Sequence, residues 1–159
     1  MKSLVVYGSR HGNTRKVAET IAGELRKHGD VQLVSAERGL APVLDDVDLV
    51  VVGGPTEAHG ITEPVARFLE RIPDGAVAGK CAAGFDTRLT WPRWLSGSAA
   101  SRIVERLAWR GAKVVVPEES FLVSGKLPVL EPGELERAAA WAASLAQKVE
   151  SKVPVAIGP

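Results

Sequence analysis

Short apolar runs of strand length alternate along the chain with patterns at the 3.6-residue period of helices. Leu4 to Tyr7 is a short β-rich run ending at Gly8. From Thr14 to His28, Val17, Ile21 and Leu25 recur every four residues with Ala18 and Ala22 beside them, which predicts a helix with one buried stripe and Gly29 as its stop. Val31 to Val34 is a more polar run and predicts an edge strand. Asp48 to Gly53 is apolar on both faces, as the interior strands of parallel sheets are. A second helix is expected after Thr62, with Pro64 in its first turn, Val65, Phe68, Leu69 and Ile72 inward, and a stop at Pro73. Lys80 to Phe85 predicts a fourth strand, and Ala99, Ile103 and Leu107 another helix closed by Gly111. Ala112 to Val116 predicts a fifth strand, resumed at Phe121 to Val123 after Glu118-Glu119. Pro132 to Val149 reads as a final Ala-rich helix with Leu135, Ala142, Leu145 and Val149 on one face.

Strands alternating with helices predict an α/β fold, a doubly wound five-stranded parallel sheet with helices on both faces. Residues 1–150 are expected to form one domain and 151–159 a loosely held tail. Such sheets bind ligands at the carboxyl ends of their strands, where the strand order reverses. That directs attention to loops 8–14, 53–62 and 86–98.

Composition narrows the classes. The chain has 159 residues, 45% hydrophobic and 25% charged, the balance of an ordinary globular domain. A formal net charge of +1 gives no global pull toward nucleic acid or a membrane surface. The single cysteine, Cys81, excludes an intramolecular disulfide and suits a reducing compartment. The first apolar run is too short for a signal segment or a membrane span, so a cytoplasmic location is expected. Trp109 and Trp141 lie in helical patterns and are expected in or near the core, as is Cys81; His28 falls at a helix C-terminus. No nucleophile–base pair, metal-ligand spacing or phosphorylatable Asp after the first strand stands out.

Loop 8–14 reads Gly8-Ser9-Arg10-His11-Gly12-Asn13-Thr14 between the first strand and first helix. Unpaired N–H groups and the helix dipole favour an anion at such a place. Ser9, Asn13 and Thr14 add side-chain donors and Gly12 allows close approach. Ser, Asn and Thr are also ordinary helix caps, but so many together at this position favour anion binding. No Gly-Lys-Ser/Thr follows and there is no G-x-G-x-x-G, so neither a triphosphate nor a dinucleotide loop fits.

The run Ser9-Arg10-His11-Gly12-Asn13-Thr14 resembles the flavodoxin fingerprint Ser/Thr-x-Thr-Gly-Asn-Thr, which wraps the phosphate of FMN, with His11 in place of a Thr. The resemblance extends over the strand and helix order and implies strand order 2-1-3-4-5 with FMN as cofactor. It places the flavin ring against the loop after the third strand, here Pro55, Thr56, Glu57, His59 and Gly60, and against the loop after the fourth, here Asp86, Thr87, Arg88 and Trp91. Members of the family present aromatic rings in these loops. His59 stands in the first; Trp91 and Trp94 stand in the second, one expected to stack on the flavin, with Trp91 favoured, and one to pack on the sheet edge.

Charge modifies this expectation. Arg10, His11, His59 and Arg88 fall in the candidate loops, and Arg88, Arg93, Arg102, Arg106, Arg110 and Lys113 face only Glu105 between residues 87 and 113. A positive rim would favour the reduced anionic flavin and a less negative potential than acidic flavodoxins have. The resemblance therefore implies an electron-transfer protein working with a separate redox partner protein or a small electron acceptor. Two alternatives stand beside it: an oxidoreductase acting on a quinone or similar substrate, and an FMN-free interaction module.

Overall fold

The computed structural model describes residues 1–39, 43–58 and 60–152; the expected tail beyond Lys152 lies outside the described residues. The strands are β1 (Lys2–Tyr7), β2 (Asp30–Ser35), β3 (Leu49–Pro55), β4 (Cys81–Leu89), β5 (Lys113–Val114), β6 (Glu119–Ser124) and β7 (Val129–Leu130). The α-helices are α1 (Asn13–Leu25), α2 (Glu63–Arg71), α3 (Arg93–Ser96), α4 (Ala99–Trp109) and α5 (Glu134–Glu150). The sheet runs β2-β1-β3-β4-β6-β7, with β5 also paired to β4. The order 2-1-3-4 is the expected one, and the reversal falls between β1 and β3.

The strand count differs from five. The last parallel position is occupied by two segments, β5 and β6, which pair with β4 one after the other at Cys81–Ala82 and Phe85–Leu89. Pro117, which has no N–H to offer a ladder, lies between them. After Gly125, at φ +99°, the chain turns back and adds β7 as an antiparallel edge. β4 is also longer than expected. It runs to Leu89, so Asp86, Thr87 and Arg88 sit on the strand rather than in a loop.

Alternation along β1 divides the core. Val5 joins Leu49, Val51, Ala83 and Phe85 under α1 and α5; Leu4 and Val6 join Val50, Val52 and Ala82 under α2 and α4. Phe85, Phe121 and Trp141 form an edge-to-face trio with ring centroids 6.2–6.3 Å apart. Cys81 is buried as expected. His28 closes a short 3-10 turn after α1 and meets the Glu150 carboxylate through Nδ1 at 2.7 Å.

Two helix expectations need correction. Trp109 is 89% exposed: two residues past buried Leu107, it is about 200° around the helix, on the outer face. On α5 the buried row is Glu134, Ala138, Ala142, Leu145, Ala146 and Val149, while Leu135 flanks it in solvent contact. The four-residue spacing back from Ala138 selects Glu134, whose carboxylate is satisfied there. It accepts the Leu122 N–H at 2.7 Å and two N–H groups of Arg137 at 2.8 and 3.0 Å. Arg137 in turn lies over the Phe121 ring, 5.2 Å from its centroid.

Arg137, and after it the Leu122 N–H, hold the Glu134 carboxyl below its ordinary value despite burial. A carboxylate with a depressed folded-state pKa contributes stability that is fully present above its unfolded pKa. That contribution is lost as pH falls through the lower folded value. Urea unfolding between about pH 3 and pH 7 is expected to show this acid loss in the native chain and a shallower one in Glu134→Gln. Equal slopes would remove Glu134 from the account.

Candidate functional site

The carboxyl ends of β1, β3 and β4 bring the three predicted segments together. β1 hands over to the first loop at Gly8, whose N–H donates to Gly53 O on β3 at 2.9 Å. Gly8 packs so closely that a Cβ there would lie 2.7 Å from Val65 Cγ2. Ser9 Oγ accepts the Gly12 N–H at 3.1 Å and the Arg15 N–H at 3.4 Å, which curls the loop and leaves the hydroxyl hydrogen free. Gly12 caps α1 in the left-handed region, φ +86°, with open space where a Cβ would stand. Among the described residues, the N–H groups of Arg10, His11, Asn13 and Thr14 have no acceptor in the chain, and they stand at the positive end of a 13-residue helix. His11 is exposed beside them.

The side chains of Asn13 and Thr14 face inward. Asn13 Nδ2 donates to Pro128 O at 2.7 Å, tying the loop to the turn between β6 and β7. Thr14 Oγ1 shares a 2.7 Å hydrogen bond with Thr87 Oγ1 on β4. Both side chains brace the loop, which leaves its unpaired backbone N–H groups and the Ser9 hydroxyl hydrogen as free donors among the described residues.

Asp86 organises the other two segments. It is fully buried, and its Oδ2 accepts from Thr56 Oγ1 at 2.9 Å, Ser98 Oγ at 3.0 Å and Ala100 N at 3.0 Å. Thr56 Oγ1 in turn accepts the Ala99 N–H at 2.8 Å, and Thr56 N donates to Thr87 O at 2.9 Å. One carboxylate oxygen therefore joins the β3 loop, the end of β4 and the start of α4. Oδ1 of the same carboxylate is buried without a partner among the described residues.

Beyond Thr56, Glu57 and Gly60 exchange two backbone hydrogen bonds, 3.0 and 2.8 Å, closing a tight turn with Ala58 at φ +44°. A non-glycine residue at positive φ is uncommon and marks a backbone held in place by its surroundings. His59, expected to meet the flavin, lies outside the described residues. A cleft of about 440 Å3 opens between Ser9, Arg10, Glu37, Pro55, Glu57 and Thr62.

The aromatic residues after β4 do not pack as expected. Trp91 is 58% exposed and Trp94 81%, so neither covers the sheet edge. Arg88 holds this segment by donating through Nη1 to Trp91 O at 2.9 Å. The charge picture also changes. Arg10 pairs with Glu57 at 3.0 Å and Arg93 with Glu118 at 3.1 Å. The cleft contains Glu37, Glu57 and Glu63 with Arg10 as its cation. Among the described residues, Arg88 and Arg102 have no carboxylate partner, and a Cβ at Gly60 would lie 3.5 Å from Arg102 Nε. The rim is acidic on the α2 side and basic on the β4–α4 side, not positive throughout.

Glu37, Ser98 and Pro128 take part in the site although the sequence patterns did not single them out. Ser98 had a signal, since it is the N-cap of α4 and accepts the Ser101 N–H at 3.3 Å. Glu37 and Pro128 act through contacts 28 and 115 residues away in sequence, with no local signature.

The switch point between β1 and β3, the glycine-capped helix start and the two segments joined through Asp86 lie at the end of the sheet where doubly wound α/β domains bind ligands. A flavodoxin domain model matches residues 4–93, and the chain belongs to that family. Its relatives include a flavodoxin-like domain-containing protein, BilS, of Clostridioides difficile, 26% identical over 80% of this chain and 68% of that one. A flavodoxin of Aquifex aeolicus is 30% identical over 57% of this chain, and the match spans 51% of that protein's length. Among solved structures, oxidised flavodoxin 1 from Bacillus cereus superposes with a TM-score of 0.78 at 22% identity, over 97% of this chain and 100% of that one. No helix among the described residues is long and apolar enough to cross a membrane.

Proposed function

We propose that the chain binds FMN and works as an electron-transfer protein with a separate redox partner protein or a small electron acceptor. The observation that carries this reading is the set of N–H groups of Arg10, His11, Asn13 and Thr14, unpartnered among the described residues, around the open left-handed Gly12. That donor set suits a phosphate: backbone dipoles supply the attraction, and Ser9 Oγ has a hydrogen left to donate. The family match, and the flavodoxins among its relatives, support the same cofactor.

When bound, FMN exchanges electrons one or two at a time. The residues of this chain bind it, orient it and shield it. Residues 9–14 hold the phosphate. Pro55, Thr56, Glu57 and Gly60 would border the ring from the β3 side, with Trp91 as the candidate from the segment after β4, whereas Arg88 lines a separate hollow with Arg93, Glu118 and Arg137. Asp86 and Thr87 are positioning residues, because their side chains are buried and bind the flanking loops rather than the exterior. The exposed indoles Trp91 and Trp94 offer flat apolar faces on which a partner or acceptor would dock.

Purified protein is expected to take up one FMN per chain, quenching the flavin fluorescence. Gly12→Asp tests the loop directly. Aspartate tolerates the left-handed region and its Cβ meets no neighbour there, so the main change is a negative charge among the loop's free N–H donors. FMN affinity is expected to fall at least about tenfold. Unchanged affinity refutes the phosphate loop, and a native chain that takes up no flavin leaves the interaction-module reading.

A further inference from the structure

The Ser9 N–H, first donor of the anion loop, is already taken. Glu37 Oε1 accepts it at 2.9 Å, while Oε2 accepts the Ser35 hydroxyl at 2.6 Å. Glu37 sits on the short 3-10 turn that follows β2, the strand adjacent to β1. Its carboxylate is therefore fixed at the mouth of the loop from a neighbouring element and is not a rotamer wandering in solvent. The contact is close, for a Cβ on Gly8 would lie 3.6 Å from Glu37 Oε1. The next cation in the loop, Arg10, is similarly turned to a carboxylate, Glu57, at 3.0 Å. Two donors that an incoming phosphate would use are thus bound to the chain's own acids.

We infer that Glu37 is an affinity-setting residue of the anion site: its carboxylate holds a loop donor and opposes the phosphate charge, so that the phosphate group contributes less to flavin binding than the loop alone would allow. The inference rests on the phosphate-loop reading above, but concerns one residue that no fingerprint contains. Two unit charges within a few ångströms near a surface interact by several-fold in affinity, and salt reduces the effect. The isosteric Glu37→Gln keeps an acceptor for the Ser9 N–H and removes the charge, so the loop conformation is retained.

The test compares native protein and Glu37→Gln with three probes: FMN, riboflavin and inorganic phosphate, each at low salt and in about 1 M salt. Expected is about three- to tenfold tighter FMN and phosphate binding in Glu37→Gln, a smaller gain at high salt, and unchanged riboflavin affinity. Matching thermal midpoints for the two proteins establish that the fold is intact. Equal or weaker FMN binding in the variant, with FMN held by the native chain, overturns the inference and leaves the cofactor reading standing. A gain for riboflavin as large as for FMN overturns it too, since the effect would not act on phosphate. If neither protein binds any flavin, the cofactor reading falls. Tighter inorganic phosphate in Glu37→Gln then upholds the role of Glu37, and its absence overturns both.

Discussion

Asp86→Ala is expected to lower the unfolding free energy by about 3–5 kcal/mol, with Asp86→Asn costing far less. The alanine removes the common acceptor of Thr56 Oγ1, Ser98 Oγ and the Ala100 N–H, all in a region without exposure at residue 86. A buried donor left unpaired costs about 1–3 kcal/mol, and some of these groups will relax toward one another or to water. Asparagine separates hydrogen bonding from charge. All of the observed bonds fall on Oδ2, and Oδ1 has no partner among the described residues. An asparagine with its oxygen at the Oδ2 position keeps an acceptor for these donors without the charge, and buries its amide nitrogen where Oδ1 has no partner among the described residues, a smaller loss than removing the acceptor altogether. Urea unfolding of the two variants checks this. Equal losses in both would mean that the charge itself, against the N-terminus of α4, dominates. The alanine variant is also expected to weaken flavin binding, because the lock between the β3 loop and α4 is released.

Gly53→Ala is expected to destabilise by about 3 kcal/mol through overpacking. Gly53 lies in β3 opposite Phe85 of β4, and a Cβ there would come within 2.1–2.3 Å of three atoms of the Phe85 ring. The ring has little freedom to retreat, being fully buried and fitted edge-to-face between Phe121 and Trp141. Gly53 has no positive φ, so backbone strain is not the cause and the loss reports packing alone. Gly23→Ala is the internal control: it lies inside α1 with nothing near its missing Cβ, so the same chemical change there should stabilise by about 0.5–1 kcal/mol. A Gly53→Ala variant as stable as the native chain would show that the aromatic trio repacks freely.

Much of this protein follows from residue order alone. The Val17-Ile21-Leu25 stripe specifies α1 because a four-residue recurrence can only be buried by a helix. The two-sided apolar run of β3 specifies a parallel interior strand because nothing else buries both faces. These local rules predict an alternating α/β sheet and put loops 8–14, 53–62 and 86–98 at one end of it, while the strand order 2-1-3-4 is what the resemblance to flavodoxins implied. The run from Ser9 to Thr14 reads as a candidate anion loop for the same reason, since cap residues and a glycine act within one turn of chain.

Tertiary structure decided what those residues do. Periodicity could not tell that β4 continues to Leu89, because the continuation is held by pairing with β6, a partner more than thirty residues later. It could not tell that Asp86 is an internal strut, that Asn13 and Thr14 brace the loop from behind, or that Trp109 stands outside the core. Those outcomes depend on which groups the folded chain brings within hydrogen-bond distance. Buried polar atoms must find partners wherever packing provides them, and those partners carry no fixed spacing in sequence. The charge at loops 8–14, 53–62 and 86–98 is the clearest case. Counting arginines predicted a positive rim, but Glu57 and Glu118 pair with two of them, and Glu37 reaches the Ser9 N–H from the turn after another strand.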